Sequence, residues 1–351
     1  MGLMKRSLVI RADASEVVGT GHVYRCLALA DEARMCDWAV AFICRAAPGH
    51  LGELLAARGY RVHFVDDDED WEVDARAASH VLRSIGTVDW LVVDHYGLDA
   101  RWESAVRAYV DRIAVFDDLA NRPHASDLLV DSSHDPAESC LYRPLTPSGC
   151  RLAIGLGYVP LRREFFERRP PVRSHHDVRR ILVTLGGNDP LNATELALDA
   201  LNSAQFAHIQ VDVTLGTSNP RLRSLQDKAA NMPNVNAYVQ HSRMVDLMEQ
   251  ADLCLGAGGT TAWERCYMGL PALVLVLADN QRDLAAKLDR LGCARNLGFA
   301  GSLDVMSLRA ALFDAVEDSA WRQRAGLRGK QMIDGGGVSR LLALMSELHP
   351  T

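Results

Sequence analysis

His22 carries the first chemistry that the chain offers. It stands at the mouth of a helix, behind Gly19 and Gly21 in the stretch GTGHVYRC, and follows an apolar run at residues 8–10 that reads as a buried strand. Two glycines let backbone amides come close to a ligand, and a helix N-terminus favours negative charge there. Imidazole is the side chain that exchanges protons near neutral pH, so it can move a proton beside a bound anion. The second stretch is Gly256-Ala257-Gly258-Gly259-Thr260-Thr261 with Glu264 behind it. Glycines and threonines just before a helix supply amides, hydroxyls and the helix dipole together, which suits a diphosphate without a lysine or a metal. Glu264, about one turn in, could reach ribose hydroxyls. Each stretch also has a plain structural reading: a satisfied helix-start histidine, and a tight strand-to-helix turn with a surface glutamate.

Elements that would position these residues repeat along the chain. Short apolar runs at residues 8–10, 39–44, 60–65, 90–93, 113–116 and 128–130 alternate with helical stretches, and the last of them closes the first half. This rhythm predicts a parallel, doubly wound α/β sheet, in which ligands bind beyond the carboxyl ends of the strands. Asp13, Asp94, Tyr96 and Asp117 fall at those ends. Prolines and charges break the pattern between residues 135 and 177. The rhythm restarts with strands at 180–185, 209–215, 235–239, 253–255 and 272–277, helices beginning near Leu191 and at Ser242, and a mostly helical finish. The expected organisation is a domain over 1–160, a linker over 161–177 and a second domain over 178–351, whose last helices could pack back on the first. Two such halves leave a cleft, and that cleft is the default site.

Composition removes several function classes. Across 351 residues the net charge is −7, which argues against a nucleic-acid surface. No run approaches the roughly 18 apolar residues of a membrane span. The N-terminus turns polar after four apolar residues, so no signal peptide is expected. Eight cysteines without a CxxC pair point to reduced thiols in the cytoplasm. The run Asp66-Asp67-Asp68-Glu69-Asp70 reads as a solvated loop. His175-His176 lacks the spacing and further ligands of a metal site. Tyr24 stands where a dinucleotide fingerprint needs its third glycine, and GxxxxGK[ST] is missing from both halves. NAD binding and a P-loop are therefore disfavoured.

The blocks RADASEVVGTGHVYRCLALA, VVDHYGLDARWE, FDDLANRPHASDLLVD, LGYVPLRREF, ILVTLGGNDPLNAT, GAGGTTAWERCYMGLPALVLVLADNQ and DGGGVSR follow one another from residue 11 to residue 340. In that order they resemble the PseG family of nucleotide-sugar hydrolases of pseudaminic acid biosynthesis, itself similar to the MurG-type glycosyltransferases. The resemblance implies a glycosyltransferase-B fold, two Rossmann-like domains flanking a central cleft. It implies inverting, metal-independent hydrolysis of UDP-2,4-diacetamido-2,4,6-trideoxy-β-L-altropyranose to UDP and the free sugar. Catalysis would fall to His22, with Asp94 and Tyr96 of the DHY block facing the sugar and the attacking water beside His95. The substrate would be held by Arg11, Asp13, Gly19, Gly21, Asn188, Gly258, Gly259, Thr260, Thr261, Glu264, Asn280 and Gln281. No cofactor or metal is expected, and the protein is expected to be a cytoplasmic monomer with a UDP-sugar as its only partner. Two rivals are a true glycosyltransferase using an acceptor hydroxyl and a non-catalytic nucleotide-sugar sensor.

Overall fold

The computed structural model describes residues 5–16, 18–168, 177–241 and 243–349. Ser242 and the His175-His176 pair lie outside the described residues. Two compact units emerge, one formed by Met1–Arg163 with Gly335–Thr351 and the other by Glu164–Asp334. The second unit thus ends at residue 334 rather than 351.

In the first unit, seven strands form one parallel sheet in the order β3-β2-β1-β4-β5-β6-β7. They are β1 (Ser7–Ala12), β2 (Ala39–Arg45), β3 (Arg61–Val65), β4 (Trp90–Asp94), β5 (Arg112–Phe116), β6 (Leu128–Asp131) and β7 (Arg151–Ile154). Leu8, Ile10, Trp90 and Val92 face one apolar layer, and Val9, Leu91 and Val93 the other, as the two-residue period of a strand requires. Both faces are covered, so the strands read as nearly continuous apolar runs. The strand β7 corrects the expectation that residues 128–130 close the half. It is four residues long and begins on an exposed arginine, too short for a sequence period to reveal.

The helix Gly337–Leu348 belongs to this unit. Val338, Leu341, Leu342 and Met345 recur at helical spacing and enter the same apolar layer as Leu8 and Ile10. Its first residue approaches the backbone so closely that a Cβ on Gly337 would lie 2.1 Å from the Val159 carbonyl oxygen. Only glycine fits there.

The second unit holds six parallel strands in the order β10-β9-β8-β11-β12-β13. They are β8 (Arg180–Thr184), β9 (Gln210–Leu215), β10 (Val235–Val239), β11 (Leu253–Ala257), β12 (Ala272–Val276) and β13 (Ala294–Phe299). The edge strand β13, with the sequence ARNLGF, was not expected and interrupts a finish that is otherwise mostly helical, as expected. The helix expected near Leu191 starts at Ala193, because Asp189 and Asn192 take left-handed conformations first. The Asp189 carboxylate then accepts from the Ala193 and Thr194 amides, both at 2.8 Å.

In each sheet the order reverses at one place, between β1 and β4 and between β8 and β11. Chains leave such a point in opposite directions and open a crevice beyond the strand ends.

Candidate functional site

Ala12 pairs with Asp94 across β1 and β4, so Asp94 and, one residue further on, Asp13 lie at adjacent strand ends at the first unit's crevice. Gly19 closes a turn on Ser15, its amide donating to the Ser15 carbonyl at 2.9 Å. Gly21 opens the helix Gly21–Met35, and His22 and Arg25 share one face one turn apart.

His22 Nδ1 lies 2.5 Å from Asp94 Oδ1. Burial alone would raise the Asp94 carboxyl, but the Arg25 guanidinium, aided by His22, holds it well below the usual carboxylate range. An ionised carboxylate only accepts, so Nδ1 carries a proton and Nε2 is the nitrogen left to exchange one. Arg25 donates from Nε to Asp94 Oδ2 at 2.5 Å and from Nη2 to Oδ1 at 2.6 Å. Its Nη1 reaches Asp118 Oδ2 at 3.0 Å. Asp118 Oδ2 also accepts from the Tyr96 hydroxyl at 3.4 Å, while Asp118 Oδ1 is buried with no hydrogen-bond partner among the described residues. Tyr96 completes the circuit by meeting the His22 ring edge-on. His22, Asp94 and Tyr96, expected together, are together.

Arg11 and Asp13 are placed differently from the expectation. Arg11 has 0% exposure and spends its guanidinium on Asp13 (2.5 and 2.9 Å) and Asp74 (3.2 and 2.6 Å). With no surface of its own, Arg11 offers nothing to a substrate. Asp13 is 4% exposed and accepts from the Arg45 amide at 2.8 Å, with His95 Nε2 at 3.3 Å. Trp102 donates to Asp74 at 2.8 Å. Burial lowers the His95 imidazole below its ordinary value, and its Nδ1 accepts from the Gly97 amide at 3.0 Å. The neutral ring therefore carries its proton on Nε2, toward Asp13. Expected to face the sugar, His95 instead ties the end of β4 to the Arg11 cluster.

In the second unit, Thr184 pairs with Gly256 across β8 and β11, so the loops carrying Asn188 and Gly258-Gly259 leave adjacent strand ends. Arg265, 1% exposed, turns back under its loop and donates to the Ala257 carbonyl at 2.8 Å. A Cβ on Gly256 would lie 2.4 Å from Arg265 Nη1, so the loop is built on that contact. One expectation is corrected here: the Gly258 amide is taken by the Leu275 carbonyl at 3.2 Å and is not available to a phosphate. Gly259, Thr260 and Thr261 lead into the helix Thr261–Tyr267, whose Ala262 and Trp263 amides donate to the Gly259 and Thr260 carbonyls at 2.9 and 3.2 Å. Glu264, expected at the surface on the plain reading, is 6% exposed. Gln281 accepts from the Leu277 amide at 3.0 Å, and Asn280 is exposed beside it.

Sequence reasoning missed Arg25 and Asp118. An arginine on an amphipathic helix reads as solvated, yet Arg25 is 8% exposed. The signal was its position one turn after His22, facing the same strand ends. Among the described residues, Asp89, Asp111 and His349 form a set whose ligand-type atoms gather within 4.8 Å. Asp89 and Asp111 precede β4 and β5, at the opposite end of the sheet from His22, and His349 follows the last helix. No helix among the described residues is long and apolar enough to cross a membrane.

No family model matches the chain. In sequence it is homologous to the spore coat polysaccharide biosynthesis protein SpsG of Bacillus subtilis, 24% identical over 80% of this chain and 85% of SpsG. It is equally similar, at 24% identity over 81% of this chain and 97% of the relative, to the UDP-2,4-diacetamido-2,4,6-trideoxy-β-L-altropyranose hydrolase of Campylobacter jejuni. It spans 57% of the length of a third relative, an uncharacterized protein of Methanocaldococcus jannaschii. In structure it is similar to MurG of Acinetobacter baumannii, with a TM-score of 0.66 at 15% identity over 97% of this chain and 99% of MurG. It is also similar to UGT71G1 of Medicago truncatula, solved with UDP-glucose, with a TM-score of 0.66 at 10% identity over 98% of each chain. The fold is that of the glycosyltransferase-B class. Alongside that fold, the sequence shows distant homology to SpsG and to the UDP-2,4-diacetamido-2,4,6-trideoxy-β-L-altropyranose hydrolase.

Proposed function

We propose that the chain processes a UDP-sugar in sugar biosynthesis, and that the reaction is hydrolysis of UDP-2,4-diacetamido-2,4,6-trideoxy-β-L-altropyranose. The observation that carries this reading is the contact of His22 Nδ1 with the buried Asp94 carboxylate, which places a proton on Nδ1 and leaves Nε2 as the ring's site for a second proton. Water attacks the anomeric carbon from the face opposite UDP, and its proton passes to His22 Nε2. The new C–O bond forms as the bond to the β-phosphate oxygen breaks, and the electron pair leaves with UDP. Asp94 orients the ring and stabilises the imidazolium that results, as a buried carboxylate does beside a catalytic histidine.

In this reading the second unit holds UDP. The amides of Gly259, Thr260 and Thr261 meet the diphosphate, and Glu264 meets the ribose. Donors placed where charge develops on the leaving group lower the barrier without reorganising. Asn188, Asn280 and Gln281 border the same loops. Eight cysteines without a disulfide support a reducing, cytoplasmic setting, and we take the enzyme to act as a monomer.

The test offers the purified chain a panel of UDP-amino-sugars without any acceptor. Released UDP and the first-formed anomer are followed by NMR. UDP release with an inverted anomer is the expected result. Release only when an acceptor alcohol is added would make the chain a glycosyltransferase, a reading favoured by the structural likeness to MurG. Tight binding with no release would make it a sensor.

A further inference from the structure

The circuit around His22 holds more charge than an orienting pair needs. Asp94 and Asp118 are two carboxylates, and Arg25 is the one cation between them, with Nη1 on Asp118 and Nε and Nη2 on Asp94. With His22 neutral, the circuit is short of one positive charge. With His22 protonated, it balances. The same Nη2 that grips Asp94 lies 3.3 Å from His22 Nδ1, so the guanidinium opposes a proton on the ring while Asp94 favours it.

Other groups facing the circuit do not alter this count. Cys26, on the same helix, places Sγ 3.4 Å from Asp94 Oδ2, and burial keeps its thiol protonated. Tyr96 brings a neutral hydroxyl to Asp118. Phe116, at the end of β5, lies under the Arg25 guanidinium, its ring centre 5.4 Å from Cζ. The neighbouring cluster on β1 and β2 balances itself, Arg11 and Arg45 against Asp13 and Asp74. Asp118 Oδ1 has no partner of its own, so Arg25 is the only cation that answers Asp118 among the described residues.

We infer that Asp118 and Arg25 are positioning residues that set how readily His22 takes a proton, with Asp118 acting through the Arg25 guanidinium. Asp118 draws off part of the guanidinium's charge and thereby leaves more of Asp94 to the ring. Arg25 does the reverse, since it competes with the ring for Asp94. The two residues therefore pull His22 in opposite directions, although both touch the same cation. A residue that merely braced the fold would not produce that opposition.

The inference rests on His22 as the base, and its test separates the two. His22 is titrated by NMR in the intact chain without substrate, its signal assigned by loss in H22Q. D118N should move the midpoint to lower pH and R25Q to higher pH, each by about half a unit or more. The acid limb of the pH dependence of UDP release should move the same way in each variant. R25Q leaves two carboxylates without their cation and could fail to fold, in which case D118N decides alone. An unmoved midpoint in D118N, or shifts of both variants in the same direction, would overturn the inference. Midpoints that move as stated while the rate profile stays fixed would keep the inference and remove His22 as the base.

Discussion

Tyr96 stands edge-on to His22, with ring centroids 4.5 Å apart and planes at 81°. Together with Asp94 at Nδ1, this contact holds the imidazole on two sides. The ring has little room to swing, and a base must hold its geometry to about an ångström to be effective. Tyr96→Ala should therefore lower turnover by about 10²-fold. Tyr96→Phe keeps the ring and loses the long hydroxyl contact with Asp118, so it should cost less than about tenfold. Equal losses in the two variants, measured as UDP release, would mean that the hydroxyl and not the ring matters.

Replacement of His22 tests the base itself. His22→Gln should lower turnover by about 10²–10⁴-fold, the usual contribution of a positioned base. UDP affinity, measured by calorimetry, should stay within about threefold of the parent, because the cradle proposed for UDP lies in the other unit. A large drop in UDP affinity would contradict that division of labour.

Arg11 should prove a stability residue. Arg11→Met leaves Arg45 alone to answer the two buried carboxylates of Asp13 and Asp74, and breaking a buried pair costs about 3–5 kcal/mol. Denaturant unfolding should show that loss in the first unit's transition. A variant of parental stability with weakened substrate binding would restore Arg11 to the substrate.

Stability should peak with pH, and two histidines of the first unit shape the peak. Burial would lower His124, but Asp117 and Glu103 more than offset it, and its value is raised above 6.5. Glu103 Oε1 lies 2.7 Å from Nδ1, and Asp117 Oδ2 lies at an ion-pair distance of 3.7 Å from Nε2. A raised group stabilises below its unfolded value and loses that contribution as pH rises through its folded one. His95 is lowered, so in the window just below 6.5 the unfolded chain binds the proton that the folded one refuses, and stability there rises with pH. Melting temperature should pass through a maximum near 6.5, with H124N flattening the alkaline side and H95N the acidic side. Unchanged slopes in both variants would refute this account.

The loop of the second unit offers a steric test. Gly256→Ala drives a methyl group into Arg265, which is buried and already committed to the Ala257 carbonyl. Overpacking of this kind costs about 1–3 kcal/mol. Thermal melts should show the loss, and UDP affinity should fall with it because Arg265 underlies the Gly259–Thr260 turn. Parental stability would mean that Arg265 has somewhere else to go.

Much of this architecture was legible in the sequence, for physical reasons. Strands covered on both faces announce themselves as apolar runs, so β1, β4, β5, β8, β11 and β12 were all visible. The strands β7 and β13 were not, since one is four residues long and the other mixes Arg295, Asn296 and Gly298 into an edge position. His22, Asp94 and Tyr96 were singled out because glycine turns and strand ends mark where side chains can meet ligands, and the fold brings the three together. Arg11 was misread as a ligand contact. Residues two apart on a strand share a face, so Arg11 and Asp13 were bound to find each other first. Arg25 was hidden by its helix, where charge ordinarily means water.

The helix Gly337–Leu348 gives this molecule an order of assembly. It supplies part of the first unit's interior, yet on the ribosome it emerges only after every residue of the second. The second unit is continuous in the chain and is free to collapse as soon as it is made. The first has only part of the layer over Leu8 and Ile10, supplied by the helix Gly21–Met35, until Val338, Leu341, Leu342 and Met345 arrive to complete it. The part of the protein that holds His22 is the first to be translated and the last to receive all of its interior.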